Sequence, residues 1–132
     1  MFGGIMGRLL GVPTVRALRG ATTVPDDAPE AIAIAVRELL DELRRENALR
    51  DHEVISAIFT MTPDLTTAFP AAAARGHGWN DVPLLCATEV AVPGSMPRCL
   101  RVLVHVERAW RRRPAHVYLR EARELRPDLV SH

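Results

Sequence analysis

The stretch VPLLCATEVAVPGSMPRCLRV, residues Val82 to Val102, is the part of this chain that decides the fold. It reads as two apolar strands joined by a Pro-Gly-Ser turn, and it carries Cys86, Glu89 and Arg101. Because side chains alternate between the faces of a strand, Arg101 lies on the face opposite its apolar neighbours. A guanidinium in so apolar a strand requires a carboxylate, either from the protein or from a ligand. Arg101 is therefore the first candidate for a functional role.

Length and composition are those of one ordinary globular domain. The chain has 132 residues, of which 48% are hydrophobic and 25% are charged, and its formal net charge is +1. So small a net charge argues against a general nucleic-acid or membrane-surface binder. All 17 basic residues are arginine, which excludes lysine chemistry such as a Schiff base or a P-loop. The one basic run, residues 107–114, is interpreted as a solvated loop.

Cysteine usage and hydropathy predict a cytoplasmic protein. Cys86 and Cys99 are too few for a disulfide framework, and His77 and His116 lack partners at metal-ligand spacing. The sequence holds no apolar run of transmembrane length, and its first residues lack the pattern of a targeting peptide. We expect the following organisation: an N-terminal extension at residues 1–13, one domain at residues 14–129 and a short tail at residues 130–132.

Hydrophobic periodicity predicts an α/β (α+β) protein with a mixed sheet of about five strands and one long helix. The helix begins at Pro29 after a cap at Asp26 or Asp27, and it ends near Asn47. The other predicted elements are strands at residues 14–19, 54–61, 82–87 and 99–106, a turn at 20–23, a short helix at 67–75 and a short strand after 116. One long helix covers only one face of such a sheet, so we expect association between copies to bury the other face.

Several side chains of the sequence could bind a ligand or take part in a reaction. They are Arg19, Arg75, Cys86, Glu89, Arg101, Tyr118 and Arg126. Two or three arginines with one glutamate and one tyrosine suit a small dianionic ligand, because arginine binds carboxylates through a planar fork. From spacing alone, a purely structural ion pair between Glu89 and Arg101 across a hairpin remains an alternative. No base is evident that would make Cys86 a nucleophile.

Four segments, in register, resemble the AroH-class, monofunctional chorismate mutases. They are RGATTV (19–24), TPDLTTAFPAAAAR (62–75), the opening stretch (82–102) and HVYLREARELRPDL (116–129). The resemblance implies a homotrimer with a barrel-like core and three active sites between subunits. It also implies the Claisen rearrangement of chorismate to prephenate, in phenylalanine and tyrosine biosynthesis, without a cofactor or a metal.

The resemblance also implies roles for individual residues. Arg101 would point at the ether oxygen of the breaking C–O bond, and Glu89 would accept a hydrogen bond from the ring hydroxyl with Cys86 beside it. Arg19 and Tyr118 would hold the substrate carboxylates. The remaining lining residues would be Phe69, Ala71, Ala72, Arg75, Leu84, Leu85, Leu125 and Arg126. Of the whole set, Phe69, Ala71, Ala72 and Arg75 would come from one subunit and the rest from its neighbour.

Two other functions stay open at this point. One is a non-catalytic trimeric sensor that binds a small ligand in the same arginine-lined clefts. The other is an imine deaminase on a similar trimer, in which an arginine holds the substrate carboxylate. Retention of the complete set of Arg19, Glu89, Arg101 and Tyr118 favours the mutase over both.

Overall fold

A computed structural model describes residues 11–129, and its centre is a five-stranded mixed sheet. The strands are β1 (Thr14–Thr23), β2 (Val54–Met61), β3 (Leu84–Thr88), β4 (Cys99–Arg108) and β5 (Val117–Tyr118). The α-helices are α1 (Pro29–Asn47) and α2 (Pro70–Arg75), and single 3₁₀ turns occupy Asp51–Glu53, Arg120–Leu125 and Pro127–Leu129. The predictions for residues 1–10 and for the tail at 130–132 lie outside the described residues.

The strand order is β3-β2-β4-β1-β5, with β4 at the centre. β4 is antiparallel to both β1 and β2, whereas β3 is parallel to β2 and β5 is parallel to β1. The predicted mixed sheet of about five strands with one long helix is therefore confirmed. None of the helices in residues 11–129 is long and apolar enough to cross a membrane.

The Pro-Gly-Ser turn does not close a hairpin, so this part of the sequence prediction was wrong. β2 lies between β3 and β4, and Ala57 of β2 pairs with Leu84 on one side and Val104 on the other. The segment after β3, residues 89–98, is long enough to carry the chain past β2. A predicted turn at 20–23 is also absent, because these residues continue β1 and pair with β4 from Val102 to Cys99.

One face of the sheet packs against the two α-helices. The buried face of α1 has the predicted periodicity and consists of Ile32, Ala35, Val36, Leu39, Leu40 and Leu43. Gly20 lets β1 approach this helix closely, because a Cβ there would lie 3.1 Å from Leu43 Cδ1 and 3.2 Å from Leu39 Cδ1. The opposite face, which holds Arg101, is covered by no α-helix among the described residues.

The start of α1 differs from its prediction. Pro29 is its first residue as expected, but the cap is Ala28, and no side chain caps the helix. The Asp27 carboxylate instead accepts hydrogen bonds from the backbone and hydroxyl groups of Thr66 and Thr67, at 2.7–3.2 Å. These bonds tie the start of α1 to the segment that leads into α2.

Candidate active site

A cleft of about 470 Å³ opens on the sheet face that lies away from the α-helices. Its lining comprises Arg19, Gly20, Ala21, Ile58, Thr60, Arg101, Val102, Leu103, Tyr118, Leu125 and Arg126. Five of the residues singled out from the sequence are among them, namely Arg19, Arg101, Tyr118, Leu125 and Arg126. The structure thus collects side chains from β1, β2, β4, β5 and the 3₁₀ turn into one concave surface.

Strand register explains why these side chains converge. Ala21 pairs with Arg101 and Arg19 pairs with Leu103, so the two arginines are diagonal neighbours on one face of adjacent strands. On the other edge of β1, Ala21 pairs with Tyr118 of β5. The central pair of strands and the short edge strand therefore bring two guanidinium groups and a phenol to the same cleft.

Glu89 and Arg101 form an ion pair, with Glu89 Oε2 3.0 Å from Arg101 Nε. The hydroxyl of Thr60 donates to the same carboxylate oxygen at 2.7 Å. The Glu89 side chain is only 15% exposed, whereas that of Arg101 is 47% exposed. The ion pair left open by the sequence therefore exists, but it spans β2 rather than a hairpin, and its arginine still faces the cleft.

His116 lies next to Arg19, and sequence reasoning missed this contact. Its Nδ1 accepts a hydrogen bond from the Arg19 backbone amide at 2.9 Å. Burial, followed by the positive charges of Arg19, Arg126 and Arg16, lowers the pKa of His116. The imidazole is therefore held in its neutral form beside the cleft.

The other predicted site residues do not line this cleft within one chain. Leu84 and Cys86 pack against the hydrophobic core, while Leu85 is exposed on the opposite side of β3. Phe69 is 72% exposed just before α2, and Arg75 ends that helix. Ala71 is buried in α2 and Ala72 is exposed in it. Their roles at the site stay predictions.

Two cleft residues escaped the sequence analysis for a physical reason. Ile58 and Thr60 belong to β2, whose almost wholly apolar sequence is typical of a strand buried on both faces. In the structure Ala57 and Phe59 face the helices, so Ile58 and Thr60 alternate into the cleft. The hydroxyls at residues 56 and 60 were the available signal of a polar face.

The chemistry of the described residues is that of an anion site. Across residues 11–129, no group of three or more His, Cys, Asp or Glu side chains is arranged to hold a metal ion. Cys99 is fully buried, and burial raises the pKa of its thiol. Arginines and a tyrosine in a partly apolar cleft can bind carboxylates and stabilise a developing negative charge.

Comparison with known proteins agrees with this geometry. The family model of chorismate mutase type I matches residues 15–129, almost all of the described chain. The chain belongs to the type I chorismate mutase family. The resemblance identified in the sequence is thereby confirmed.

Individual members of the type I chorismate mutase family match over nearly their full length. The chain is 54% identical over 123 residues to chorismate mutase AroH of Thermus thermophilus, covering 89% of this chain and 98% of that protein. It is 38% identical over 117 residues to chorismate mutase AroH of Bacillus subtilis, covering 87% and 92%. The solved structure of a Clostridium thermocellum chorismate mutase superposes with a TM-score of 0.78 at 43% identity, covering 83% of this chain and 98% of the other.

Proposed function

We propose that this protein is a chorismate mutase, which rearranges chorismate to prephenate on the route to phenylalanine and tyrosine. The observation that carries the proposal is the convergence of Arg19, Arg101, Tyr118 and Arg126 in one cleft. Chorismate bears two carboxylates and an ether oxygen, which are the groups that such a set of donors recognises.

The reaction is an internal exchange of bonds within one substrate molecule. The ether C–O bond breaks while a new C–C bond forms, and the electrons move around a six-membered ring without transfer of a proton. Negative charge grows on the ether oxygen in the transition state, so a fixed cation stabilises that state more than the substrate. Arg101 supplies this cation, and no cofactor is required by the chemistry.

Glu89 and Thr60 fix the position of that cation before substrate arrives. Both of their contacts use Glu89 Oε2, which supports the proposal that Oε1 accepts a hydrogen bond from the ring hydroxyl of the substrate. Because Glu89 is largely buried and held in place, Arg101 Nε is already oriented in the free enzyme. No reorganisation energy is needed to orient it during the reaction. Glu89 is therefore both a holder of Arg101 and a ligand of the substrate.

The remaining donors bind the carboxylates. Arg19 and Tyr118 take this role, and Leu125 packs against the ring to favour its compact conformer. The guanidinium of Arg126 is held by Asp128 through two bonds, Nε–Oδ1 at 3.1 Å and Nη2–Oδ2 at 3.0 Å. A carboxylate of the substrate would displace the Asp128 carboxylate and bind the Arg126 guanidinium in its place.

We also propose that the protein is a homotrimer with its active sites between subunits, and that it acts in the cytoplasm. The sheet face away from the α-helices supports assembly, as do exposed apolar side chains at Phe69, Leu85, Val90 and Val92. Phe69, Ala71, Ala72 and Arg75 lie outside their own chain's cleft, which fits their supply by a neighbouring subunit. Leu84, Leu85 and Cys86, which the resemblance groups with Arg101 in the other subunit, lie outside the cleft of this chain, and their roles stay predictions. No nucleic acid or membrane is expected as a partner.

The activity is tested by the loss of chorismate absorbance with identification of prephenate as the product. Arg101→Ala removes the cation at the breaking bond, so we expect kcat/KM to fall by about 10²–10³-fold. Arg112→Ala, in the exposed loop after β4, serves as the matched control and should keep wild-type activity.

Other results would redirect the proposal. A folded wild-type protein that leaves chorismate unchanged beyond its spontaneous rate would refute it. Tight binding of an aromatic amino acid without turnover would favour the ligand sensor instead. Turnover of 2-iminobutanoate with none of chorismate would favour the imine deaminase.

A further inference from the structure

His116 lies at the point where β1 and the short strand β5 begin to pair, which we call the β1–β5 joint. Its Nδ1 accepts the Arg19 amide at 2.9 Å, immediately before Gly20 pairs with Val117 and Ala21 pairs with Tyr118. An imidazole nitrogen thus takes the place that a backbone carbonyl would hold in a longer parallel ladder.

This joint fixes two substrate-binding groups relative to one another. Arg19 and Tyr118 both line the cleft, and they belong to the two strands that meet at His116. β5 is only two residues long and lies at the edge of the sheet. The Leu119 amide donates to the Ala21 carbonyl at 2.9 Å, and Asn47 exchanges two hydrogen bonds with the backbone of Ala115. The His116 bond is the contact that ties the Arg19 backbone itself to the start of β5, so it contributes directly to the register between Arg19 and Tyr118.

The bond exists only while the imidazole is neutral, with its proton on Nε2. The charged groups around it are Arg16 and Arg19 on β1, and Arg126 with its partner Asp128 beyond the 3₁₀ turn. Tyr118 is the titratable neighbour on β5. Burial, and after it the charges of the three guanidinium groups, lowers the pKa of His116, which favours the acceptor form of the imidazole at neutral pH.

We propose that His116 is a positioning residue whose neutral imidazole holds Arg19 and Tyr118 in register, and whose protonation in acid releases this carboxylate-binding pair. Its kinetic consequence rests on the proposed chorismate mutase activity, but the hydrogen bond itself does not. The acid limb of kcat/KM lies below 6.5, the ordinary pKa of histidine, since the surroundings lower the pKa of this one.

Two substitutions distinguish the effect of the hydrogen-bond acceptor at the place of Nδ1 from the effect of the imidazole ring as a whole. In His116→Asn the amide oxygen takes the place of Nδ1 and does not titrate, so neutral-pH activity should stay close to wild type and the acid limb should disappear. In His116→Gln the amide reaches the place of Nε2 instead, and kcat/KM should fall about tenfold at neutral pH. The loss should appear mainly in KM, because Arg19 and Tyr118 hold carboxylates, whereas a folding defect would reduce kcat.

The matched control is His52→Asn, in the exposed 3₁₀ turn Asp51–Glu53, which should reproduce the wild-type pH profile. An acid limb that persists in His116→Asn would overturn the proposal, as would wild-type kinetics in His116→Gln. Nitrogen-15 NMR of the imidazole gives a readout without substrate, and a proton on Nδ1 at neutral pH would overturn it too. Wild-type protein with no turnover but the expected Nε2-H tautomer would refute the proposed function and leave the hydrogen bond standing.

Discussion

The side chain of Thr60 joins the acidic and basic members of the cleft. Its hydroxyl donates at 2.7 Å to the Glu89 oxygen that also contacts Arg101 at 3.0 Å. A carboxylate that is 15% exposed and held from two sides has little freedom to turn. Thr60 thus acts on the reaction through Glu89, without a predicted contact to the substrate.

We expect Thr60→Val to lower kcat/KM about fivefold, since one hydrogen bond contributes about 1 kcal/mol to holding the pair. The shape of the side chain is kept, so the thermal unfolding temperature should change little. Thr60→Ser restores the hydroxyl and should restore activity. Full activity in Thr60→Val would show that Glu89 needs no such support.

At the scale of the elements, β1 packs tightly against α1 at Gly20. A Cβ at this position would meet three apolar side-chain atoms, of Val102, Leu43 and Leu39, at 3.0–3.2 Å. Side-chain atoms give way more easily than backbone, but all three belong to the buried core. The strand can therefore accept a larger residue here only if the helix moves away.

Gly20→Ala should lower the free energy of unfolding by about 1 kcal/mol, because overpacking outweighs the entropic gain of replacing glycine. Denaturant unfolding measures this change. Gly76→Ala is the matched control: its Cβ would lie 3.7 Å or more from its neighbours, and its substitution should be neutral or stabilising. Equal stability of the two variants would contradict tight packing at Gly20.

Elements with a single hydrophobic period could be predicted from the sequence, and the order of strands could not. The buried face of α1 follows from its helical period and the position of β4 from alternation of apolar side chains, whereas β2 stands out as an almost wholly apolar run. That β2 separates β3 from β4 depends on pairing between distant segments, which local patterns do not encode. Asp27 is similar: its sequence position suits a helix cap, but its partners are Thr66 and Thr67.

The candidate site could be predicted in part from the sequence. As with the fold, the residues that were missed are those whose role depends on contacts between distant segments. Arg19, Arg101 and Tyr118 were singled out from the sequence as side chains that could bind or react, and they converge in the structure. Thr60 and His116 contribute through contacts with residues distant in sequence, so no motif assigned them a role, although His116 begins one of the four motif segments. The placement of Cys86 toward the core depends on which face of β3 meets the helices, which the sequence leaves undetermined.

At the scale of the whole molecule, the α-helices among residues 11–129 cover only one side of the sheet. Leu85 is 63% exposed on the edge strand β3, on the side away from the core, and Ile34 is 42% exposed on the outer surface of α1. The two are apolar side chains of the same size on opposite sides of the domain. They therefore offer a direct comparison of the two surfaces.

If subunits assemble through the open side of the sheet, Leu85→Asp should shift the protein toward monomer and reduce activity with it. Ile34→Asp should leave both unchanged. Analytical ultracentrifugation over a range of protein concentrations, with assays on the same samples, measures the effect. A trimer retained in Leu85→Asp but lost in Ile34→Asp would place the interface on the helical side.

The central position of β4 has a consequence for the order of events during synthesis and folding. β1 and β2 do not pair with each other. Both pair with β4, which ends at Arg108, so neither can join this part of the sheet before β4 is available. The first residue of β1 pairs with the last residue of β4, so the sheet is made almost entirely of non-local contacts. A nascent chain therefore exposes unpaired strand edges until most of it has left the ribosome, and it closes late and as a unit.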